Sequence, residues 1–213
     1  MATYIKTQNF VWLLFLTLMT TSMSFAQRDV EQWKLQASVG FNNPIDNNDN
    51  DGYFTKYINF PTINLGVQHM FSENWGAKLD LGYNRSESAE KSKPFKLNFT
   101  RINAQLVYDF KDVFRFLPPA IGVVGHVGPG VSMTRPLGKD VLNTYNYLNL
   151  LGGMEVHYRL SESLSVFVDG SYALGLSGSD KYNPAIDGYS FNGDLMYVAL
   201  GVSISLSGCN YCY

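Results

Sequence analysis

Charge is scarce in this chain: Lys, Arg, Asp and Glu make up 16% of its 213 residues, and the formal net charge is −2. With no basic excess and no Lys/Arg-rich stripe, nothing can neutralise a run of phosphates, so a nucleic-acid partner is excluded. Long apolar runs are missing apart from one at the N-terminus, which excludes a polytopic helical membrane protein. Histidine and cysteine are few, three and two residues. His69, His126 and His157 are scattered, and no Ser-His-Asp or paired-carboxylate grouping emerges from spacing, so the chain reads as no enzyme. Zinc needs four ligands, more than two thiols supply. The acidic stretch Asp46–Gly52 resembles a calcium loop but lacks the bidentate Glu that closes one. Neither metal nor cofactor is therefore expected. What is plentiful is aromatic: 14 Phe, 14 Tyr and 3 Trp, which argues against disorder and for a single folded domain.

The N-terminus reads as an address. Residues 1–26 carry Lys6, an apolar core from Val11 to Met19, and the small-x-small triplet Ser24-Phe25-Ala26. This is the plan of a cleaved secretory signal peptide; an uncleaved anchor would need about 20 apolar residues. The domain plan that follows is residues 1–26 as leader, 27–208 as the folded unit and 209–213 as a short tail. Both cysteines lie in that tail, Cys209 and Cys212. In an exported chain this favours a local disulfide over free thiols. A thioredoxin-like pair would have to open a helix after a strand, which nothing there suggests.

From Trp33 onward apolar and polar residues alternate with a period of two, as half-buried strands do. Eight such segments are predicted: Trp33–Phe41, Ile63–Phe71, Trp75–Tyr83, Asn98–Phe110, Ala120–Met133, Leu148–Leu160, Leu164–Leu174 and Leu195–Leu206. Short turns, Ser72-Glu-Asn74 and Ser161-Glu-Ser163, alternate with long polar connections at residues 42–61, 85–94, 134–146 and 175–194. Lys111–Pro119 is a longer member of the short-turn side. Short turns on one rim and long loops on the other are the layout of an antiparallel up-and-down transmembrane β-barrel.

A soluble ligand-binding barrel shows its polar face to water, and a membrane barrel does the reverse. Here the polar face is thin in charge and rich in Gly, Ser and Asn, unlike a water-facing sheet surface. Aromatic residues gather at strand ends, with Phe41, Phe60, Tyr83, Phe99, Tyr147 and Tyr172 on the long-loop side, which reads as an interfacial girdle. Each Lys or Arg facing mid-bilayer would cost about 2–4 kcal/mol, so the charges must point inward. The inward phase holds Lys34, Lys78, Arg101 and Arg159 against Asp80, Asp109, Glu155 and Asp169, with His126, His157, Asn103 and Gln105 among them. These charges are expected to pair across the lumen, Asp80 with Arg101 first, because an unpaired buried charge is far costlier than a paired one. Eight strands leave just enough room for side chains, which favours a structural plug over a gated ion path.

The export signal, the eight amphipathic strands, the Gly-rich segment Gly122–Gly130 and the units Ser72-Glu-Asn-Trp-Gly and Ser161-Glu-Ser-Leu-Ser resemble the OmpA-type outer-membrane barrel family. The resemblance spans nearly all of residues 27–213. It implies an outer-membrane barrel of a diderm bacterium with periplasmic termini, surrounded by outer-membrane lipid. It also implies a structural or interaction role: envelope integrity, adhesion, or a subunit of an outer-membrane complex with other outer-membrane or periplasmic proteins. Members often carry a peptidoglycan-binding domain after the barrel, and this sequence departs from that plan at Tyr213. A monomer or a subunit of a larger complex is expected. The alternative is a narrow channel for ions or small solutes, with a soluble ligand-binding barrel third.

Overall fold

The computed structural model describes residues 32–45, 51–137, 144–176, 184–189 and 191–206. The leader 1–26, most of the acidic stretch Asp46–Gly52, and the Cys209/Cys212 tail lie outside them. Eight strands follow in chain order: β1 (Gln32–Pro44), β2 (Asn59–Met70), β3 (Trp75–Glu87), β4 (Lys96–Asp109), β5 (Ile121–Leu137), β6 (Tyr145–Arg159), β7 (Leu164–Gly175) and β8 (Leu195–Ser205). A single helical turn, α1 (Pro184–Asp187), precedes β8. Each strand pairs antiparallel with the next, and β8 returns to β1, with Leu200 opposite Val39, closing the barrel. Closure removes every sheet edge, so the backbone polar groups of the wall are satisfied without water, as a bilayer requires.

The two tight turns use one device. Ser72 Oγ accepts from the Trp75 backbone N–H at 3.0 Å, and Ser161 Oγ accepts from the Leu164 N–H at 3.1 Å. In each case the serine closes the turn while the chain reverses. At the same positions Phe71 N–H donates to Trp75 O and Leu160 N–H to Leu164 O, setting the registers of β2–β3 and β6–β7.

Alternation then dictates the rest. Leu35, Val39, Leu65, Leu79, Leu81, Ile102, Leu106, Val131, Leu148, Val168 and Leu200 all face outward and exposed. Such a continuous apolar belt far exceeds the few hundred Å² that a water-soluble monomer shows, so its solvent is hydrocarbon. The belt ends at Trp33, Trp75, Tyr108 and Tyr158 on the short-turn side. On the other side it ends at Phe41, Phe60, Tyr83 and Tyr172, with the Phe41 and Phe60 rings 5.6 Å apart. Just beyond Tyr83 the exterior becomes polar: Asn98 Oδ1 accepts from the Tyr83 hydroxyl at 2.9 Å and from Arg85 Nε at 3.1 Å.

Most strands run further than the alternation predicts, chiefly towards the long-loop end: β1 to Pro44, β3 to Glu87 and β5 to Leu137, while β2 begins at Asn59 and β6 at Tyr145. β1 to β7, with 12–17 residues, exceed the about 9–11 that span a bilayer, and β8 with 11 matches it. In the projecting part the faces invert. Arg85, Glu87, Lys96 and Asn98 point outward to water, while Leu97 and Phe99 are buried inside. Phe99 and Tyr147, expected in the outer girdle, therefore belong to the interior, where their rings lie 6.5 Å apart.

Candidate functional site: the filled lumen

The barrel interior is arranged in levels along its axis. Nearest the middle, Glu155 of β6 is a hub. Its carboxylate meets Lys78 Nζ at 2.5 Å, accepts from Gln36 Nε2 at 2.9 Å, and lies 2.7 Å from His157 Nε2. These contacts tie β3, β1 and β6 across the lumen. Lys78 and Glu155 side chains are 4% and 1% exposed. Beside them Arg101 Nη2 sits 3.3 Å from Asp80 Oδ2 and donates to Asn64 Oδ1 at 2.9 Å, and its guanidinium stacks 4.6 Å from the Tyr197 ring centre. Gly82, opposite Arg101 in the β3–β4 register, makes this possible: a Cβ there would coincide with the guanidinium.

A third group completes the polar level. Asp169 Oδ1 lies 3.4 Å from His126 Nε2 and accepts from Ser171 Oγ at 2.5 Å, while Gln105 Oε1 meets His126 Nδ1 at 2.5 Å. Asn103 donates to Asn149, and Asn149 to Ser132 at 2.6 Å. Asn42, Thr62, Asn84 and Ser86 continue the network towards the long-loop end, with Asn42 donating to Thr62 Oγ1 and accepting from Ser86 Oγ.

Above this network the interior turns apolar. Phe95, Leu97, Phe99, Leu151, Ala173, Leu195 and Tyr197 pack with Tyr189 and Phe191, which lie between β7 and β8 and sit in the mouth. Phe99 and Phe191 meet edge to face at 5.2 Å. Gly188 and Gly193 flank this inserted segment with φ of 75° and 101°, backbone that suits glycine and turns the chain inward and out again. Asp187 anchors the segment by accepting from the Tyr145 hydroxyl at 2.6 Å, which raises the pKa of that phenol above its ordinary value.

Of the eight charged residues that the inward phase singles out, five therefore lie in the buried level: Lys78, Asp80, Arg101, Glu155 and Asp169. Lys34, Asp109 and Arg159 sit half-buried at the short-turn mouth instead. There Asp109 Oδ1 accepts from the Lys111 backbone N–H at 3.0 Å, and Arg159 Nη2 donates to Pro119 O at 2.7 Å. Asp169 faces a histidine rather than a Lys or Arg. The spacing could not show this division, because strand tilt, not sequence position, decides which level a residue occupies. It also missed Tyr189 and Phe191, read as part of a polar loop; the only local cue is the pair of aromatics bracketed by Gly188 and Gly193.

The arrangement offers little chemistry. Ser171 Oγ and Asp169 Oδ1 both approach His126 Nε2, so serine and carboxylate compete for one ring nitrogen and cannot relay a proton through the imidazole. His126, Glu155 and Asp169 bring possible metal-ligand atoms within 4.8 Å of one another. Lys78 already supplies the cation there, since its ammonium lies against Glu155.

A closed antiparallel barrel with an apolar outside and ion pairs inside is a transmembrane β-barrel. The model of the outer membrane protein beta-barrel domain matches residues 12–197, and the chain belongs to that family. Solved structures share the fold. A major outer membrane protein from Thermus thermophilus is 12% identical, with 83% of this chain and 99% of that one covered at a TM-score of 0.58. Neisserial surface protein A is 10% identical, covering 83% and 97% at 0.55. OprG from Pseudomonas aeruginosa is 11% identical, covering 84% and 97% at 0.53. No curated protein sequence matches the chain.

Proposed function

We propose that this outer-membrane barrel is a closed scaffold that displays its long connections outside the cell, serving envelope integrity, adhesion or assembly of an outer-membrane complex. In this reading residues 1–26 are a cleaved leader, both termini are periplasmic, and Cys209 and Cys212 form a local disulfide in the tail. The observation that carries it is the obstruction of the lumen at two successive levels, the Lys78–Glu155–Gln36–His157 crossing and the apolar plug of Tyr189 and Phe191. A solute would have to break buried ion pairs and displace packed aromatics in turn.

The second reading, a narrow channel, draws on the open recess at the short-turn end. Planar-bilayer recording separates the two. The scaffold predicts a silent membrane, and silence in Tyr189→Ala/Phe191→Ala as well, because the polar level remains. Steady openings whose conductance changes in Asp80→Asn or Arg101→Gln would overturn the scaffold and establish the channel. Proteolysis of intact cells near Asp51 tests the loop orientation: cleavage from outside is expected, and protection until the envelope is broken would reverse it.

A further inference from the structure

Below the Glu155 level, the short-turn end of the lumen opens into a recess of about 360 Å³. Its walls differ in chemistry. While the Phe110 ring turns outward onto Tyr108 and Gly125, the connection between β4 and β5 sets Phe114 and Leu117 against one side. Turn hydrogen bonds from Phe114 N–H to Phe110 O at 3.0 Å, and from Leu117 N–H to Phe114 O at 3.0 Å, hold these side chains in place. The opposite side, from β1, β2 and β8, presents Lys34, Gln68 and Ser203.

Two groups on that polar side lack a full set of partners among the described residues. Gln68 is only 2% exposed; its Nε2 donates to Met70 Sδ at 3.1 Å, while its Oε1 accepts from no group among the described residues. Lys34 has no carboxylate within ion-pair distance among the described residues. The acids whose charge reaches it, Asp109 and Glu155, are engaged elsewhere: one by the Lys111 backbone, the other by Lys78, Gln36 and His157. A half-desolvated ammonium that no described carboxylate touches attracts an anion, and the facing apolar wall selects one with a hydrophobic body. The volume falls at the small end of ligand sites.

We propose that this recess binds a small amphipathic carboxylate, its anionic end on Lys34 beside the Ser203 hydroxyl and its apolar body against Phe114 and Leu117. The carboxylate can come from a free acid or from the end of a peptide. Gln68 Oε1 distinguishes them, because only the peptide end brings an N–H for it to accept. The inference is independent of whether the barrel conducts.

The test uses the full folded barrel in an alkyl maltoside, with binding to empty micelles subtracted. The probes are 3-phenylpropionate and the tripeptide Ala-Ala-Phe, each beside its uncharged amide. Both acids are expected to bind at least about tenfold more tightly than their amides, the usual reach of one charge-assisted hydrogen bond. Lys34→Met should abolish that difference and Lys34→Arg restore it, in variants that keep heat-modifiable gel migration. A tripeptide preference lost in Gln68→Met assigns the peptide source, and equal or weaker tripeptide binding assigns the free acid. Amides that bind as well as acids to the unmodified protein overturn the proposal, and so does saturation by neither acid at about 10 mM. A Lys34→Met barrel that folds and keeps the acid preference also overturns it.

Discussion

Lys78→Met removes the cation from a deeply buried ion pair of the lumen. Its ammonium lies 2.5 Å from Glu155, and both side chains are under 5% exposed. Without it, Glu155 keeps Gln36 and His157 as its partners among the described residues, in a site that leaves it 1% exposed. Breaking a buried pair from one side costs about 3–5 kcal/mol, most of it the penalty of stranding the remaining charge. Removing both charges is a different operation: Lys78→Met/Glu155→Leu fills the same space with hydrocarbon and is expected to stay within about 1 kcal/mol of the unmodified protein. Glu155→Leu alone should cost less than Lys78→Met, because Asp80 and Asp169 still act on the ammonium. Urea unfolding in lipid vesicles, followed by the fluorescence of Trp33 and Trp75, reads all four corners of this cycle. Two results would refute the reasoning: a loss under about 1 kcal/mol for Lys78→Met, or a double variant as unstable as the two single losses added together.

Leu200 faces outward at the middle of β8, opposite Val39 and Val168, and is 62% exposed. Leu200→Arg should destabilise the barrel by about 2–4 kcal/mol in vesicles, while Leu206→Arg at the rim costs about 0–1 kcal/mol; equal losses would argue against hydrocarbon at that depth. At the opposite rim, Glu87 accepts from Lys96 and Lys56, each at 2.9 Å, and the two ammoniums push its carboxyl from 4.5 down to about 2. The folded protein thus binds this proton less readily than the unfolded chain, so the contribution is complete above about pH 4.5 and disappears as the pH falls towards 2. The pair is a third exposed or more on each side, which keeps it under about 1 kcal/mol and sensitive to salt. Glu87→Gln should flatten that part of the stability–pH curve measured by urea unfolding, and an unchanged slope would show that the three side chains act independently.

The wall of this barrel is legible in its sequence because a bilayer enforces a rule with a period of two. Leu79, Leu81, Ile102 and Leu106 could not change places with Lys78, Asp80, Arg101 and Gln105 without putting charge into hydrocarbon, so alternation finds the strands and the sign of each face. The serine turns at Ser72 and Ser161 are equally local, since acceptor and donor lie three residues apart. Partners across the lumen are another matter. Glu155 lies 77 residues from Lys78 and 119 from Gln36 along the chain, and their meeting depends on the tilt and stagger of the closed sheet. Arg101 and Asp80 occupy neighbouring strands, and the β3–β4 turn-over places Asp80 opposite Asn103, one pleat from Arg101, so this pair follows from local register alone.

The limits of the alternation have the same physical origin as its success. Past Tyr83 and Phe41 the outside of the wall meets water, and no force there prefers an apolar residue. The same β4 that carries Ile102 and Leu106 outward then carries Leu97 and Phe99 inward and Lys96 and Asn98 outward. A rule tuned to hydrocarbon reads such a stretch as loop, although it is strand whose inside has become the core of a small water-facing cup. That inversion gives Tyr189 and Phe191 something to bury against, so these two side chains turn into the mouth. The barrel consequently has two interiors. One is held by paired charges at the depth where its outside is greasy, and the other is held by aromatics where its outside is wet, so each level places inside what the surrounding solvent will not accept outside.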